Sequence, residues 1–327
     1  MRSAAAYAPG HVTGFFHISD TASDPLHKGS LGAGFSIQSG VTTRVGLIAI
    51  SSSDPLAAPG NQSLRTRVLI NGSVRNDAVV SQNVADRFLE RLREADIDKP
   101  TDQELRSSLL TIEHHQRVPE RCGFGTSGAG ALGLALAMNA LFDSPLSPVD
   151  CGQIAHLAEI SSGTGLGTVM GEFYGGCEIR TAPGAPGIGA AVRFEPADLT
   201  TAIAVVFGPI STKSMLSDEA TRGRINAAGR QYIDSLLISP NVETFLRLSR
   251  EFAEGTGLIS PKVREVLDLF DKNDIPSSML MFGEGVFTLV RRSVVPGIRR
   301  LVDKWVQNGD LLVSSIEPNG GRVTNEA

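Results

Sequence analysis

Pro119-Glu120-Arg121-Cys122-Gly123-Phe124-Gly125-Thr126-Ser127-Gly128-Ala129-Gly130 is the stretch on which the reading of this chain turns. Glycines at 123, 125, 128 and 130 flank the hydroxyls of Thr126 and Ser127, and a run of small and apolar residues follows as far as Leu141. That run reads as a helix, which Asp143-Ser144-Pro145 stops. A helix start carries amides with no partner inside the helix and the positive end of the peptide dipoles, so it attracts anions. Glycines remove the side chains that would keep a polyphosphate away, and the two hydroxyls reach phosphate or a bound metal. The competing reading is a tight turn whose glycines serve helix packing alone.

Gly123-x-Gly125-x-x-Gly128 also has the outline of a dinucleotide-binding turn. That fold needs a buried strand immediately before the glycines and an acidic residue about 20 positions on, at a strand end. Gln116 to Arg121 is polar and interrupted by Pro119, and Asp150 sits in helix-like sequence, so the dinucleotide reading loses. A second near miss is Gly208-Pro209-Ile210-Ser211-Thr212-Lys213-Ser214, where Thr212 stands in place of the glycine that a Walker loop needs before Lys-Ser.

Outward from the loop, strand-like and helix-like segments are segregated with no regular alternation of the two, which predicts an α+β protein. Strands are expected at Val12–Ile18, Phe35–Ile50, Arg65–Ile70, Leu109–His115, Gly175–Arg180, Ala190–Phe194, Ala202–Phe207, Ser278–Phe282 and Val286–Arg291. Lys28–Gly34 reads as a glycine-rich loop, and Asn71-Gly72 as a hairpin turn. Helices are expected around Val84–Leu92 and over Ser127–Leu141, Pro148–Glu159, Asp218–Leu237, Val242–Glu254 and Pro261–Asp271. Two domains are predicted, 1–208 and 209–327, within a chain of 327 residues.

Composition limits the classes of function. With 41% hydrophobic and 20% charged residues the chain is ordinary globular material. A net charge of −5 with dispersed signs argues against a nucleic-acid partner. Cys122, Cys151 and Cys177 form no CxxC pair, so neither a disulfide framework nor a zinc site follows. The N-terminal stretch is broken by Pro9-Gly10 and does not read as a signal peptide, and Ala129–Phe142 is too short for a bilayer. No membrane association and a cytoplasmic location are expected.

Three motifs in order resemble the superfamily of galactokinases, homoserine kinases, mevalonate kinases and phosphomevalonate kinases. They are Ala8-Pro9-Gly10-His11-Val12, the loop Pro119 to Ala129, and Ser277 to Leu289. Within it the chain looks most like the archaeal pantoate kinases, through Pro9-Gly10-His11-Val12-Thr13-Gly14-Phe15-Phe16 and Lys28-Gly29-Ser30-Leu31-Gly32-Ala33-Gly34. Gly163-Thr164-Gly165-Leu166-Gly167 and Ala182 to Gly187 extend the likeness. The resemblance implies an N-terminal domain of the ribosomal-protein type, a C-terminal ferredoxin-like domain and an active site between them. It implies ATP-dependent phosphorylation of pantoate to 4-phosphopantoate on the route to coenzyme A, with Mg²⁺ as cofactor, and it admits a homodimer. The alternative is another kinase of the group, acting on homoserine or a mevalonate-like acid.

Carried over residue by residue, the resemblance gives Gly123, Gly125, Thr126, Ser127, Gly128 and Ala129 as the ATP phosphate loop, with Glu159 on the following helix as the metal-binding carboxylate and Ser127 as a second metal ligand. A solvated helix acid is the competing reading of Glu159. Thr168 stands where many members carry an Asp as base, and His11 where many carry a Lys. Thr168 is retained for positioning the substrate hydroxyl. The base stays open between another group, with Glu172 as the fallback, and direct proton loss to phosphate or water. Lys28 and Ser30 are candidates for cation and hydroxyl contacts with the substrate, Lys28 in a catalytic role. Arg44 and Arg180 are candidate carboxylate forks, each competing with an ordinary surface ion pair. His11 and His17 are candidate hydrogen-bonding walls, or satisfied structural histidines.

Overall fold

The computed structural model describes residues 2–50, 64–97, 104–105, 107–210, 218–306 and 310–325. Most of its first half is built on two long antiparallel strands, β1 (Arg2–Ser19) and β2 (Gly29–Ala49), paired from Arg2↔Leu47 to Ser19↔Gly29. β3 (Arg65–Ile70) and β4 (Ser73–Val74) form a hairpin through Asn71 and Gly72, at φ 48° and 78°, the left-handed pair that a type I′ turn requires. Helix α1 (Val79–Glu94), strand β5 (Ser108–Gln116), helix α2 (Thr126–Leu141), helix α3 (Pro148–Ser162) and the short helix α4 (Thr168–Tyr174) follow. Ser147 and Asp150 close a capping box at the start of α3, with Pro148 in the first turn. Strands β6 (Cys177–Ala182) and β7 (Ala190–Phe194) complete this part.

The later part contains β8 (Thr201–Pro209), α5 (Glu219–Ile238), α6 (Val242–Thr256), α7 (Pro261–Asp271), β9 (Ser278–Met279), β10 (Gly283–Val290), α8 (Val295–Val306), β11 (Asp310–Ser315) and β12 (Arg322–Thr324). The larger sheet runs β12-β1-β2-β5-β3-β4, with β6 joining β2 and β7 joining β6. The smaller runs β11-β8-β10-β9, antiparallel throughout. Taken in chain order, that is the split βαβ arrangement of a ferredoxin-like sheet, and the protein is α+β with two sheets, as the segregated pattern predicts. Position 208/209 falls within β8, and β12 returns to the larger sheet.

β1 and β2 serve two cores. Ala6, Ala8, Val41 and Val45 pack with α1, α2 and α3, whereas Val12, Phe15, Phe16, Phe35 and Ile37 pack with Phe245 and Phe252 of α6 and Phe287 of β10. The change occurs where the β1–β2 register shifts between Ala8 and Gly10, and His11 follows immediately.

Two expectations about elements are corrected. Lys28–Gly34, read as a loop, is buried strand from Gly29 onward. Its glycines are required by crowding: a Cβ on Gly32 would lie 2.3 Å from the Phe15 carbonyl oxygen, and one on Gly34 would lie 2.5 Å from that of Val12. The strand expected over Ser278–Phe282 ends at Met279, because Leu280 to Gly283 turns and Phe282 takes φ 64°. The near-Walker segment enters residues 211–217, outside the described residues.

Candidate active site

Gly125, at φ 64°, is the residue from which α2 starts, and the first bond of the helix runs from the Ala129 amide to the Gly125 carbonyl at 3.0 Å. The amides of Thr126, Ser127 and Gly128 precede that bond and have no side-chain cap. They face a cleft of ≈ 790 Å³ between the two sheets. This helix start can accept an anion, as its sequence predicts.

Glu159, near the end of α3, comes to the same place. The Ser127 hydroxyl donates to its Oε1 at 2.5 Å and the Thr164 hydroxyl at 2.7 Å. The carboxyl is buried, and burial pushes its pKa above the usual range although both hydroxyls pull it down. A buried acid held by two hydroxyls is not a solvated helix residue. Glu159 and Ser127 present hard oxygen atoms beside an anion seat, a donor set suited to Mg²⁺.

Thr168, the first residue of α4, reaches the same loop. A Cβ added to Gly128 would sit 2.8 Å from its hydroxyl and 2.5 Å from Oε2 of Glu172, one turn further along α4. Glu172 is fully buried, and neither of its carboxyl oxygens has a hydrogen-bond partner among the described residues. The nearby Ala129 amide is already committed to Gly125. Burial, then the proximity of Glu159, drives the pKa of Glu172, behind the loop, well upward.

Arg180 on β6 is buried, contrary to the surface-pair reading. Its Nη1 donates at 2.5 Å to Oε1 of Glu178, which also receives the Nε2–H of His11 at 2.7 Å. Burial lowers the Arg180 pKa against the pull of Glu178. Its Nε has no partner among the described residues, and the side chain lines the cleft. Ser30 lies beside it: a Cβ on Gly167 would meet Ser30 Oγ at 2.3 Å and Arg180 Nε at 3.6 Å. His11 fits between the Cα atoms of Gly34 and Gly171, where added Cβ atoms would stand 2.6 Å and 2.3 Å from its ring.

Three candidates fall elsewhere. Arg44 is exposed, because Thr43 and Val45 on either side point into the core and strand alternation turns 44 outward. His17 bonds through Nδ1 to the Asn226 carbonyl at 3.2 Å and ties β1 to α5. Lys28 is half-buried two residues before Ser30 and does not line the cleft. Glu178 and Thr164 escaped the sequence reading. Glu178 had a signal, since it shares a strand face with Arg180 at the i, i+2 spacing. His114, read as structural, is satisfied by Thr43 and Ser81, and burial lowers its pKa to about 4. The three cysteines are buried and unpaired. Among the described residues, no helix is long and apolar enough to cross a membrane.

An anion-accepting helix start and a hydroxyl–carboxylate pair on one cleft wall, within this two-sheet fold, define a small-molecule kinase, and residues 83–176 match the family described as the GHMP kinases N terminal domain. A pantoate kinase of Thermococcus kodakarensis is 33% identical over 293 residues, covering 88% of this chain and 87% of that protein. One of Methanospirillum hungatei is 32% identical over 321 residues, covering 97% and 95%. Among solved structures, a "Phosphotransferase related to CoA biosynthesis pathway" superposes with TM-score 0.83 at 29% identity, covering 99% of both chains. The homoserine kinase of Cytophaga hutchinsonii, at 15% identity and TM-score 0.67, covers 99% of this chain and 98% of its own and shares the fold. The chain belongs to the pantoate kinase family.

Proposed function

We propose that this protein transfers the γ-phosphoryl group of ATP to the 4-hydroxyl of pantoate, releasing ADP and 4-phosphopantoate for coenzyme A synthesis in the cytoplasm. The observation that carries this reading is that the open start of α2 and the buried, incompletely paired Arg180 line one cleft. One accepts phosphates and the other a carboxylate, and pantoate kinase chemistry needs both.

In this reading the amides of Thr126, Ser127 and Gly128 hold the ATP phosphates, with Gly123, Gly125 and Ala129 shaping the loop around them. Ile70, Ala78 and Val79 also line the cleft and suit the adenine base. Ser127 and Glu159 would hold Mg²⁺, which when bound neutralises phosphate charge. Arg180 and Ser30 take the pantoate carboxylate, with His11 and Glu178 keeping Arg180 in place. Thr168 orients the 4-hydroxyl. That oxygen bonds to the γ-phosphorus as the bond to the ADP oxygen breaks, and the hydroxyl proton leaves with the transferred phosphate or to water. Thr168 supplies no carboxylate to take it, and Glu172 sits behind the loop and not on the cleft wall.

The test is ADP release with pantoate, homoserine, mevalonate and pantothenate as acceptors, with the product identified by mass spectrometry. Turnover on pantoate well above the others is expected. Preference for another acceptor, or none with pantoate, overturns the reading.

A further inference from the structure

The cleft also contains an aromatic pair with no part in the phosphoryl transfer itself, and the role argued for it rests on pantoate being the acceptor. Across three strands the register sets Phe16 of β1 opposite Gly32 of β2, and Gly32 opposite Arg180 of β6. Gly32 has no side chain, and a Cβ there would lie 2.9 Å from Cβ of Phe16. The carboxylate seat of Arg180 and Ser30 is therefore only one strand removed from Phe16.

Phe282 reaches the same cleft from the turn before β10, and its ring centroid is 5.3 Å from that of Phe16. It adopts φ 64°, a conformation unfavourable for a bulky side chain and concentrated at ligand-contacting positions. Its turn rests on the phosphate loop, since a Cβ on Gly123 would meet the Met281 carbonyl oxygen at 2.5 Å. Phe282 thus bridges the interval between the carboxylate seat and the loop. Leu166 and Met281 add further apolar surface to the same cleft.

Pantoate carries a quaternary carbon with two methyl groups between its carboxylate end and its 4-hydroxyl. A molecule with its carboxylate on Arg180 and its hydroxyl at Thr168 must turn those methyls to one side. We infer that Phe16 and Phe282 form the wall that receives the two methyl groups, and that this wall selects a branched hydroxy acid over an unbranched one. Apolar pockets discriminate through the methyl groups they bury, with tenfold or more per methylene at well-formed sites.

The experiment compares kcat/KM for pantoate with that for 2,4-dihydroxybutanoate, which keeps the carboxylate and both hydroxyls and lacks the methyls. In the wild-type protein, kcat/KM is expected to rise stepwise through acids with none, one and two methyls at carbon 3. In Phe282→Ala the ratio between the branched and unbranched acids falls about tenfold, and Phe282→Leu recovers most of it. A flat series in the wild type, or an unchanged ratio in Phe282→Ala, overturns the wall while leaving the pantoate reading intact. A wild-type protein with no activity on pantoate overturns the reading on which the wall depends. The wild-type series needs no variant to fold.

Discussion

Replacing Glu159 by Gln separates the stability of the fold from its chemistry, because the two are expected to move in opposite directions. Oε1 of Glu159 receives hydroxyl hydrogens from Ser127 at 2.5 Å and Thr164 at 2.7 Å. Hydrogen bonds to a charged acceptor contribute about 1.5–3 kcal/mol and neutral ones about 0.5–1.5 kcal/mol, so an amide oxygen forfeits roughly 2 kcal/mol over the two. Burial of the charge opposes this. It is the largest influence on the carboxyl and outweighs both hydroxyls, since the pKa lies above the usual range. An acid whose folded pKa is raised contributes stability that is fully present below the unfolded value and is lost as pH rises through the folded value. As pH rises the wild type is left with a buried charge that the two hydroxyls offset only in part, and Gln removes it. Tm of the variant at pH 8 is expected at or above wild type, by about 2 °C for roughly 1 kcal/mol, with a shallower decline from pH 5 to pH 8. Turnover falls more than tenfold, about 1.4 kcal/mol in barrier, and half-maximal rate needs more Mg²⁺. Thermal melts across pH and ADP-release assays read both. Wild-type turnover would remove Glu159 from the chemistry, and a clear loss of stability at pH 8 would mean that the hydroxyl bonds outweigh burial.

Ser127→Ala lowers turnover more than tenfold with the fold intact, checked by ADP release and circular dichroism; unchanged turnover would move the phosphates off this loop. Arg180→Ala leaves Glu178 buried with His11 alone, and a loss of about 3–5 kcal/mol is expected in denaturant unfolding. Arg180→Lys, which keeps a cation there, raises KM for the hydroxy acid far more than KM for ATP. Arg44→Ala changes neither KM, and stability stays within about 0.5 kcal/mol, as for an exposed position away from such features. Gly34→Ala drives a methyl to 2.5 Å from the Val12 carbonyl oxygen and 2.6 Å from the His11 ring. A loss of about 1–3 kcal/mol is expected in the same unfolding assay.

Features that depend on neighbours in the chain were readable from composition and spacing. The helix start after Gly125, the hairpin at Asn71-Gly72, and the starts of α3 and α7 at Pro148 and Pro261 are all local, set by turn geometry and capping within a few residues. Glu159 as a partner of Ser127 was reachable only through resemblance, because 32 positions separate the two and no local rule joins them. Arg44 and Arg180 could not be told apart that way. Each is an arginine in a strand, and only the packing of both strand faces leaves one in water and the other beside Glu178.

The glycines from 29 to 34 show the same division. As letters they describe a flexible loop, yet they form a buried strand in which β1 presses so closely against Gly32 and Gly34 that no side chain fits there. Phe282 likewise reads as the end of a strand, whereas its turn against Gly123 and its ring against Phe16 belong to contacts between segments more than 150 positions apart. Local propensity and capping act over about four residues and are written in order along the chain. Burial, cross-strand register and the meeting of two cores at His11 arise from distant segments coming together, and that proximity exists nowhere in the linear order.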